Sequence, residues 1–378
     1  MTNSVAMGGM EEHVVLLSRM LDRARFEVYA ISPSWGPTVL LSRRLADAAD
    51  HAAIVTPDRR HGLMREIGEA FKLHRTVRRW RIDVAHLHST TFQGHLVAAV
   101  VLRLAGVRHI HVTEHLAPDA PLSPVRGLLR RLFGRVVDGI VCVSDKNYRA
   151  RAAHIPTPPD RSVIVVNGID ADHVASIDPA DVAAAQAELG LPEGSVVVGT
   201  VVRFEPEKGL DDLVAAFATV AASRTDVELV MVGDGSLRDE LRDQAARLGV
   251  GDRVHFTGFR SDPRPFLSII DVFVLPVPVG SMSIGLLEAM ALECAVVITF
   301  GGPGEAVIDG ENGYWSPPRD PVALAERIRR LVDDAELRSR FGAAARRAVD
   351  TTFSARRVAD RLGRLYEVGI RDMDHPAP

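Results

Sequence analysis

Short apolar, β-branched runs alternate with segments of helical spacing along most of the chain. FEVYAISP (26–33), AAIVTP (52–57), VAHLHS (84–89), HIHVTEH (109–115), GIVCVS (139–144) and SVIVVNG (162–168) read as buried strands. A polar, Ala/Asp-rich stretch follows, DADHVASIDPADVAAAQAELGLPEG, which reads as an interdomain connection. A second series then begins with VVVGTV (196–201), VELVMVG (227–233), VHFTG (254–258), DVFVLP (271–276) and CAVVITF (294–300). Strand and helix in alternation predict an α/β fold with doubly wound parallel sheets covered on both faces. Two such open sheets leave a cleft between their carboxyl edges. The opening MTNSVAMGGMEEHVVLLSRML differs from this pattern. Val14, Leu17 and Leu21 mark an amphipathic helix entered through Gly8 and Gly9, yet only TNSVAM stands where a doubly wound domain has its first buried strand. A missing first strand is therefore expected, either because the start lies upstream or because the chain is shortened.

Composition narrows the picture. A length of 378 residues suits two domains, and 47% hydrophobic with 25% charged residues is typical of a soluble globular protein. Cys142 and Cys294 lie in apolar strand-like runs, which suits small buried hydrophobes in a reducing compartment and not a disulfide or metal site. No apolar run reaches membrane-span length, and the N-terminus lacks signal-peptide order, so the cytoplasm is the expected location. Charge is unevenly divided. Residues 1–170 hold 23 Lys+Arg against 16 Asp+Glu, and the remainder holds 22 against 33. A basic first half suits an anionic acceptor or an anionic membrane surface, and simple Arg richness explains it equally well.

Candidate chemistry gathers at strand ends. In PVPVGSMSIGLLEAMALECAVVITFGGPGE (276–305), Gly280, Ser281 and Ser283 lie between a strand and the helix IGLLEAMAL. The amides freed at such a helix start attract phosphate, and Glu288 about one turn on is placed to accept hydrogen bonds from hydroxyls. Taken alone, the same residues read as a plain N-cap and a solvated helix carboxylate. VVRFEPEKGL sets Arg203 and Lys208 before a helix that begins near Gly209, a pairing that suits a diphosphate, although singly each is an ordinary surface cation. Gly233, Asp234 and Gly235 follow the next strand without completing a G-x-G-x-x-G fingerprint. Gly258 offers backbone groups to a base or simply makes a tight turn. Among the strand-end histidines, His115 is a better candidate to donate to a sugar hydroxyl than His86 or His88. No metal-ligand spacing, P-loop, kinase set or G-x-S-x-G elbow is present.

In this order, GGMEEH, VTEH, VCVS, VVNGID (165–170), VVRFEPEKGL, VMVGDG, VHFTGF, IGLLEAMAL, GGPGE (301–305) and ENGYWSPP resemble the family-4 retaining glycosyltransferases of the GT-B fold, over nearly the full length. The resemblance implies two Rossmann-like domains facing a central cleft. Their expected bounds are 1–185 on the acceptor side and 186–352 for the nucleotide sugar, with a C-terminal helix and tail, 353–378, crossing back to the first domain. It implies transfer from a nucleoside-diphosphate sugar to a hydroxyl, with no metal and no cofactor beyond that donor substrate. The site it implies has Arg203 and Lys208 on the diphosphate and the leaving nucleotide. Gly8, Gly9, Gly233, Gly258, Ser283 and Ile284 line the donor, Glu288 holds the ribose, and His115 lies near donor sugar and acceptor.

Three departures stand out. Gly280 occupies the position of the family's first glutamate in Glu-x7-Glu, Glu293 and Ala295 replace a usual Gly and Pro, and the first strand is absent. A nucleotide-sugar-binding pseudoenzyme or partner subunit is therefore the alternative from outside catalysis, and a nucleotide-sugar epimerase the alternative enzyme. The basic runs LSPVRGLLRRLFGRVV (122–137) and KLHRTVRRWR (72–81) suit peripheral contact with an anionic membrane at its inner face, or are ordinary helices packed on the sheet. No nucleic-acid partner is expected.

Overall fold

VVVGTV, VELVMV and VFVL are buried along almost their whole lengths, which suits the interior of a parallel sheet covered by helices on both sides. A computed structural model describes residues 1, 9–33, 38–55, 63–89, 95–115, 123–154, 159–278, 283–300 and 304–373. The chain forms two compact units, one of residues 1–168 with 355–378, the other of residues 169–354.

Unit 1 contains α1 (Gly9–Met20), β1 (Tyr29–Ser32), α2 (Val39–Ala48), β2 (His51–Ile54), α3 (Leu63–Trp80), β3 (Val84–Ser89), α4 (Leu96–Leu104), β4 (His109–Glu114), α5 (Pro124–Val136), β5 (Gly139–Cys142), α6 (Asp145–His154) and β6 (Ser162–Ile164). Its strands form a parallel pair, β1-β2, and a parallel four-stranded sheet in the order β3-β4-β5-β6. Among the described residues no strand precedes α1. The backbone of Met1 instead lies along the edge of β3, donating to His86 O and accepting from His88 N, each at 2.8 Å.

Unit 2 contains α7 (Ala171–Ala175), α8 (Pro179–Leu189), β7 (Val196–Val201), α9 (Leu210–Ala221), β8 (Val227–Val232), α10 (Arg238–Arg247), β9 (Val254–Gly258), α11 (Arg264–Leu267), β10 (Val272–Leu275), α12 (Ile284–Ala291), β11 (Ala295–Thr299), β12 (Tyr314–Ser316), α13 (Pro321–Asp333) and α14 (Ala335–Thr352). Its parallel sheet runs β12-β11-β10-β7-β8-β9. The chain thus moves outward from β7 to β9, returns to the other side of β7 with β10, and moves outward again. β12 has no counterpart among the expected strands, because three residues between Gly313 and Pro317 show no readable period.

The last helix, α15 (Ala355–Val368), packs Val358, Ala359, Leu362 and Leu365 against Leu17, Val141, Val163 and Val165 of unit 1. The break between units falls after Gly168, earlier than the expected boundary at 185. The polar stretch that reads as a connection folds instead as α7 and α8, capped by Asp170 on His173 N and by Asp178 on Ala180 N. These helices pack on α12 and α11 of unit 2. At the crossing, Ile169 N donates to Phe353 O at 2.9 Å.

Glu293, at the position of a usual family Gly, lies at φ 61° in the left-handed region, with its side chain exposed. A Cβ costs about 1–2 kcal/mol there, whereas glycine's extra unfolded-state entropy offsets about 0.5–1 kcal/mol. Glu293→Gly is therefore expected to stabilise unit 2 by roughly 0.5 kcal/mol, read as a small rise in its denaturation midpoint. An unchanged or lower midpoint would show that the turn carries no strain.

Candidate functional site

In an open α/β sheet the crevice forms where strand order reverses, outside the carboxyl ends of the two strands at that point. In unit 2 these strands are β7 and β10. The loop after β7 carries Arg203 and Lys208, and the segment after β10 leads into α12 with Ser283, Ile284 and Glu288. Backbone packing brings the two loops together. Gly209, at φ 66°, lies so close to the end of β10 that a Cβ would meet Pro276 O at 2.3 Å. At Gly285 a Cβ would stand 3.2 Å from Val201 O, so the first turn of α12 rests on the end of β7.

Ser283 caps α12, its hydroxyl accepting from Leu286 N at 3.3 Å. Cap and anion site are thus compatible here: the hydroxyl serves the helix, while the amide of Ile284 belongs to its first turn, whose dipole favours an anion by about 0.3–2 kcal/mol. Glu288 is half-buried one turn on, and its charge reaches Arg264, which also donates to His173 O and pairs with Asp262.

Burial lowers the pKa of Lys208, Glu207 and Glu205 partly oppose the shift, and Arg203 adds to it by repulsion. Lys208 lies 3.9 Å from Glu207, and among the described residues the exposed Arg203 makes no ion pair. Glu207 and Glu205 thus offset only part of the cost of burying Lys208, a setting that favours an anion nearby. The end of β8 closes in on the same loop: Phe204 N donates to Asp234 O at 2.9 Å, and Ser236 Oγ donates to Glu205 at 2.8 Å. Gly233 N donates to Gly258 O at 3.1 Å, tying the ends of β8 and β9 together.

In unit 1, His115 follows the end of β4, its backbone N donating to Ser89 O at 3.0 Å. Its ring is buried beside other imidazoles, with Nε2 3.4 Å from His88 Nδ1 and the His13 ring centroid 6.0 Å away. His86 has a hydroxyl at each ring nitrogen, Tyr366 at 2.5 Å and Thr113 at 2.7 Å, as a satisfied core histidine should. Burial lowers the pKa of His115 to about 3, and the neighbouring His13 adds to the shift. Burial also takes His13 to about 4 against a hydrogen bond to the Gly168 carbonyl, and takes His95 and His111 to about 4. It drives His86 and His88 well below the ordinary value. At neutral pH these rings are uncharged donors and acceptors.

Sequence reasoning missed four residues of unit 1. His13 shares the buried stripe of α1 with Met10, Val14 and Leu17, and periodicity alone does not separate it from them. Glu114 and Arg151 form a buried ion pair at 2.9 Å. Asn147, one turn before Arg151 on α6, is buried, and among the described residues neither of its side-chain polar atoms has a hydrogen-bond partner. Gly8, Gly280 and Ser281 lie outside the described residues, and Gly9 is the first residue of α1. Among the described residues no group of His, Cys, Asp and Glu is placed to hold a metal ion, and no helix is long and apolar enough to cross a membrane.

Two Rossmann-like units with parallel sheets define the GT-B class. Residues 181–348 match the family model for glycosyl transferases group 1, and residues 7–173 match that for glycosyltransferase family 4. A glycogen synthase of Mycobacterium tuberculosis is 30% identical, over 99% of this chain and 94% of that protein. A phosphatidyl-myo-inositol mannosyltransferase of Mycobacterium leprae is 29% identical, over 95% of this chain and 93% of its own. The crystal structure of HepE from Anabaena, in complex with UDP, superposes with a TM-score of 0.80 at 20% identity, covering 97% of this chain and 98% of that one. The chain therefore belongs to the group 1, family-4 glycosyltransferases of the GT-B fold and is a sugar-transferring enzyme.

The buried imidazoles set an acid limit on unit 1. Their folded pKa values lie below the ordinary 6.5, so the native state binds fewer protons than the unfolded chain. Their contribution to stability is complete above pH 6.5 and is lost as pH falls from there toward about 4. Hydrogen exchange at pH 5, corrected for its intrinsic pH dependence, should show β3 and β4 losing protection relative to pH 7.5 while β7 and β8 change less. Equal protection at both pH values would contradict neutral burial.

Proposed function

We propose that the enzyme transfers a sugar from a nucleoside-diphosphate donor to an acceptor hydroxyl with retention of the anomeric configuration. The observation that carries this reading is the pair Arg203 and Lys208 at the switch point of unit 2, where Glu207 and Glu205 offset only part of the cost of burying Lys208 and further negative charge is favoured. A diphosphate supplies that charge, and each charge-assisted hydrogen bond to it is worth about 1.5–3 kcal/mol. The UDP named for the HepE complex supports a nucleotide donor in this fold, and the sugar transfer named for the mycobacterial relatives supports catalysis.

In the reaction, the bond between the anomeric carbon and the diphosphate oxygen breaks while the acceptor oxygen bonds to the same face of that carbon. The acceptor proton passes to the departing diphosphate oxygen. Arg203, Lys208 and the first-turn amides of α12 stabilise the leaving charge, which is the largest contribution. Glu288 accepts hydrogen bonds from the ribose hydroxyls. His115, neutral in its buried surroundings, serves as a hydrogen-bond partner for a sugar hydroxyl and not as a charged acid. The donor diphosphate interacts directly with protein cations, with no metal required.

A second reading rests on Gly280. Without a side chain there, the family's carboxylate contact to the donor sugar is lost, which favours weakened transfer or an altered donor. Incubation with a panel of labelled nucleotide sugars, with NMR assignment of the product anomer, tests both readings. Transfer with retention supports the first, and donor binding without transfer or hydrolysis supports a pseudoenzyme. Arg203→Ala and Lys208→Ala should each weaken nucleotide binding roughly 10- to 100-fold by calorimetry. Affinity unchanged in both would remove the diphosphate assignment, and inverted product would remove the retaining one. Gly280→Glu should raise turnover if the missing carboxylate is a defect, whereas a change of preferred donor would mark specialisation.

A further inference from the structure

α4 reads LVAAVVLRL, apolar on every side, although it lies at the outside of unit 1. Ala98, Ala99 and Leu102 pack inward with Leu73 and Val77 of α3 and Phe133 of α5, against Leu87 of β3 and Ile110 and Val112 of β4. The three helices thus cover one face of one sheet with α4 in the middle, and their outward residues share a surface. On α4 that surface is Val97, Val100 and Leu104, spaced i, i+3, i+7 on one face, and Leu104 is 72% exposed. Ile67 and Phe71 of α3, the latter 67% exposed, and Val125 and Leu128 of α5 extend it on either side. The one charged residue of α4, Arg103, is half-buried and pairs with Asp138 at 2.7 Å, which leaves the outer stripe wholly apolar.

Positive charge borders this stripe. The second half of α3 exposes Lys72, Arg75, Arg78 and Arg79, and α5 exposes Arg135. Residues 70–80, α4 and α5 contain no Asp or Glu. A continuous apolar surface of this kind marks an interaction site, and its basic border selects an anionic partner. A second copy of the chain would set these like charges against one another across a two-fold axis. The geometry points to an anionic lipid bilayer as the occupant, with Val97, Val100, Leu104 and Phe71 entering the headgroup boundary and the Lys and Arg side chains meeting lipid phosphates. The contact centres on α4 and includes α3, which is broader than the basic run at 122–137 suggests.

Co-sedimentation with vesicles tests this without any nucleotide sugar, so its outcome is independent of the reaction proposed above. The protein should pellet with vesicles of equal parts phosphatidylglycerol and phosphatidylcholine and remain in solution with phosphatidylcholine alone. Val100→Ser combined with Leu104→Ser should reduce binding at least about tenfold, and Lys72→Gln with Arg75→Gln and Arg79→Gln should reduce it similarly and flatten its salt dependence. These side chains are exposed, so circular dichroism and the thermal midpoint should match the parent. No binding to the anionic vesicles, binding unaltered in both variants, or a dimer in solution that Leu104→Ser dissolves would each overturn the proposal.

Discussion

The order of strands in unit 2 constrains everything that gathers at its carboxyl edge. Because β10 returns to the side of β7 opposite β8, two loops leave the sheet from neighbouring strands at the point where strand order reverses. Close backbone contacts act at this edge. Gly209 rests on the Pro276 carbonyl and Gly285 on the Val201 carbonyl, so main-chain contacts, which side-chain rearrangement cannot loosen, tie the loop after β7 to the end of β10 and the first turn of α12 to the end of β7. Lys208 therefore stays half-buried near Arg203 although its surroundings disfavour its charge. Strands buried almost throughout supply the stability that allows this local cost.

Unit 1 treats its titratable groups in the opposite way. The buried imidazoles of His13, His86, His88 and His115 lie close to one another, and burial is the main cause that lowers their pKa values. His86 is fully satisfied by hydroxyls, whereas among the described residues neither ring nitrogen of His111 has a partner. Such a cluster holds ring orientations through packing and a few weak polar contacts, and it keeps its charge state fixed across the neutral range. Beside them, Glu114 of β4 and Arg151 of α6 form a buried pair at 2.9 Å, the arrangement in which each charge is compensated by its partner.

Alternation of strand and helix was legible because burial on both faces leaves continuous β-branched runs, and VAHLHS and VVVGTV match β3 and β7 residue for residue. β12 was not legible, since its pairing with β11 is decided by tertiary contact and not by its own short sequence. The boundary between units was misplaced for a related reason. DADHVASIDPADVAAAQAELG looks polar enough to be a connection, yet its Asp residues are helix caps, and only the packing of α7 and α8 shows which unit owns them. The position of Arg203 and Lys208 between β7 and α9 was readable because a loop between strand and helix has a fixed place in an α/β fold. His13 was not, because a buried histidine on an amphipathic helix looks like any core position until a second ring lies beside it.

Positive charge occurs in this protein in two physical forms, and exposure separates their uses. Lys72, Arg75, Arg78 and Arg79 of α3 and Arg135 of α5 lie on solvent-facing helix surface, where screening acts within about 8–10 Å at physiological salt and no single residue dominates. Contacts made there are broad, additive and sensitive to ionic strength. Lys208 is instead partly withdrawn from solvent and repelled by Arg203, so its field is screened less and its unfavourable energy is concentrated at one point. An anion bound there removes repulsion as well as adding attraction, and because the unfolded chain offers no such geometry, the whole difference appears as ligand-linked stability of unit 2. Lys208, half-buried beside the exposed Arg203, is therefore suited to meeting a small anion at one fixed point, and the exposed array to resting on an extended charged surface.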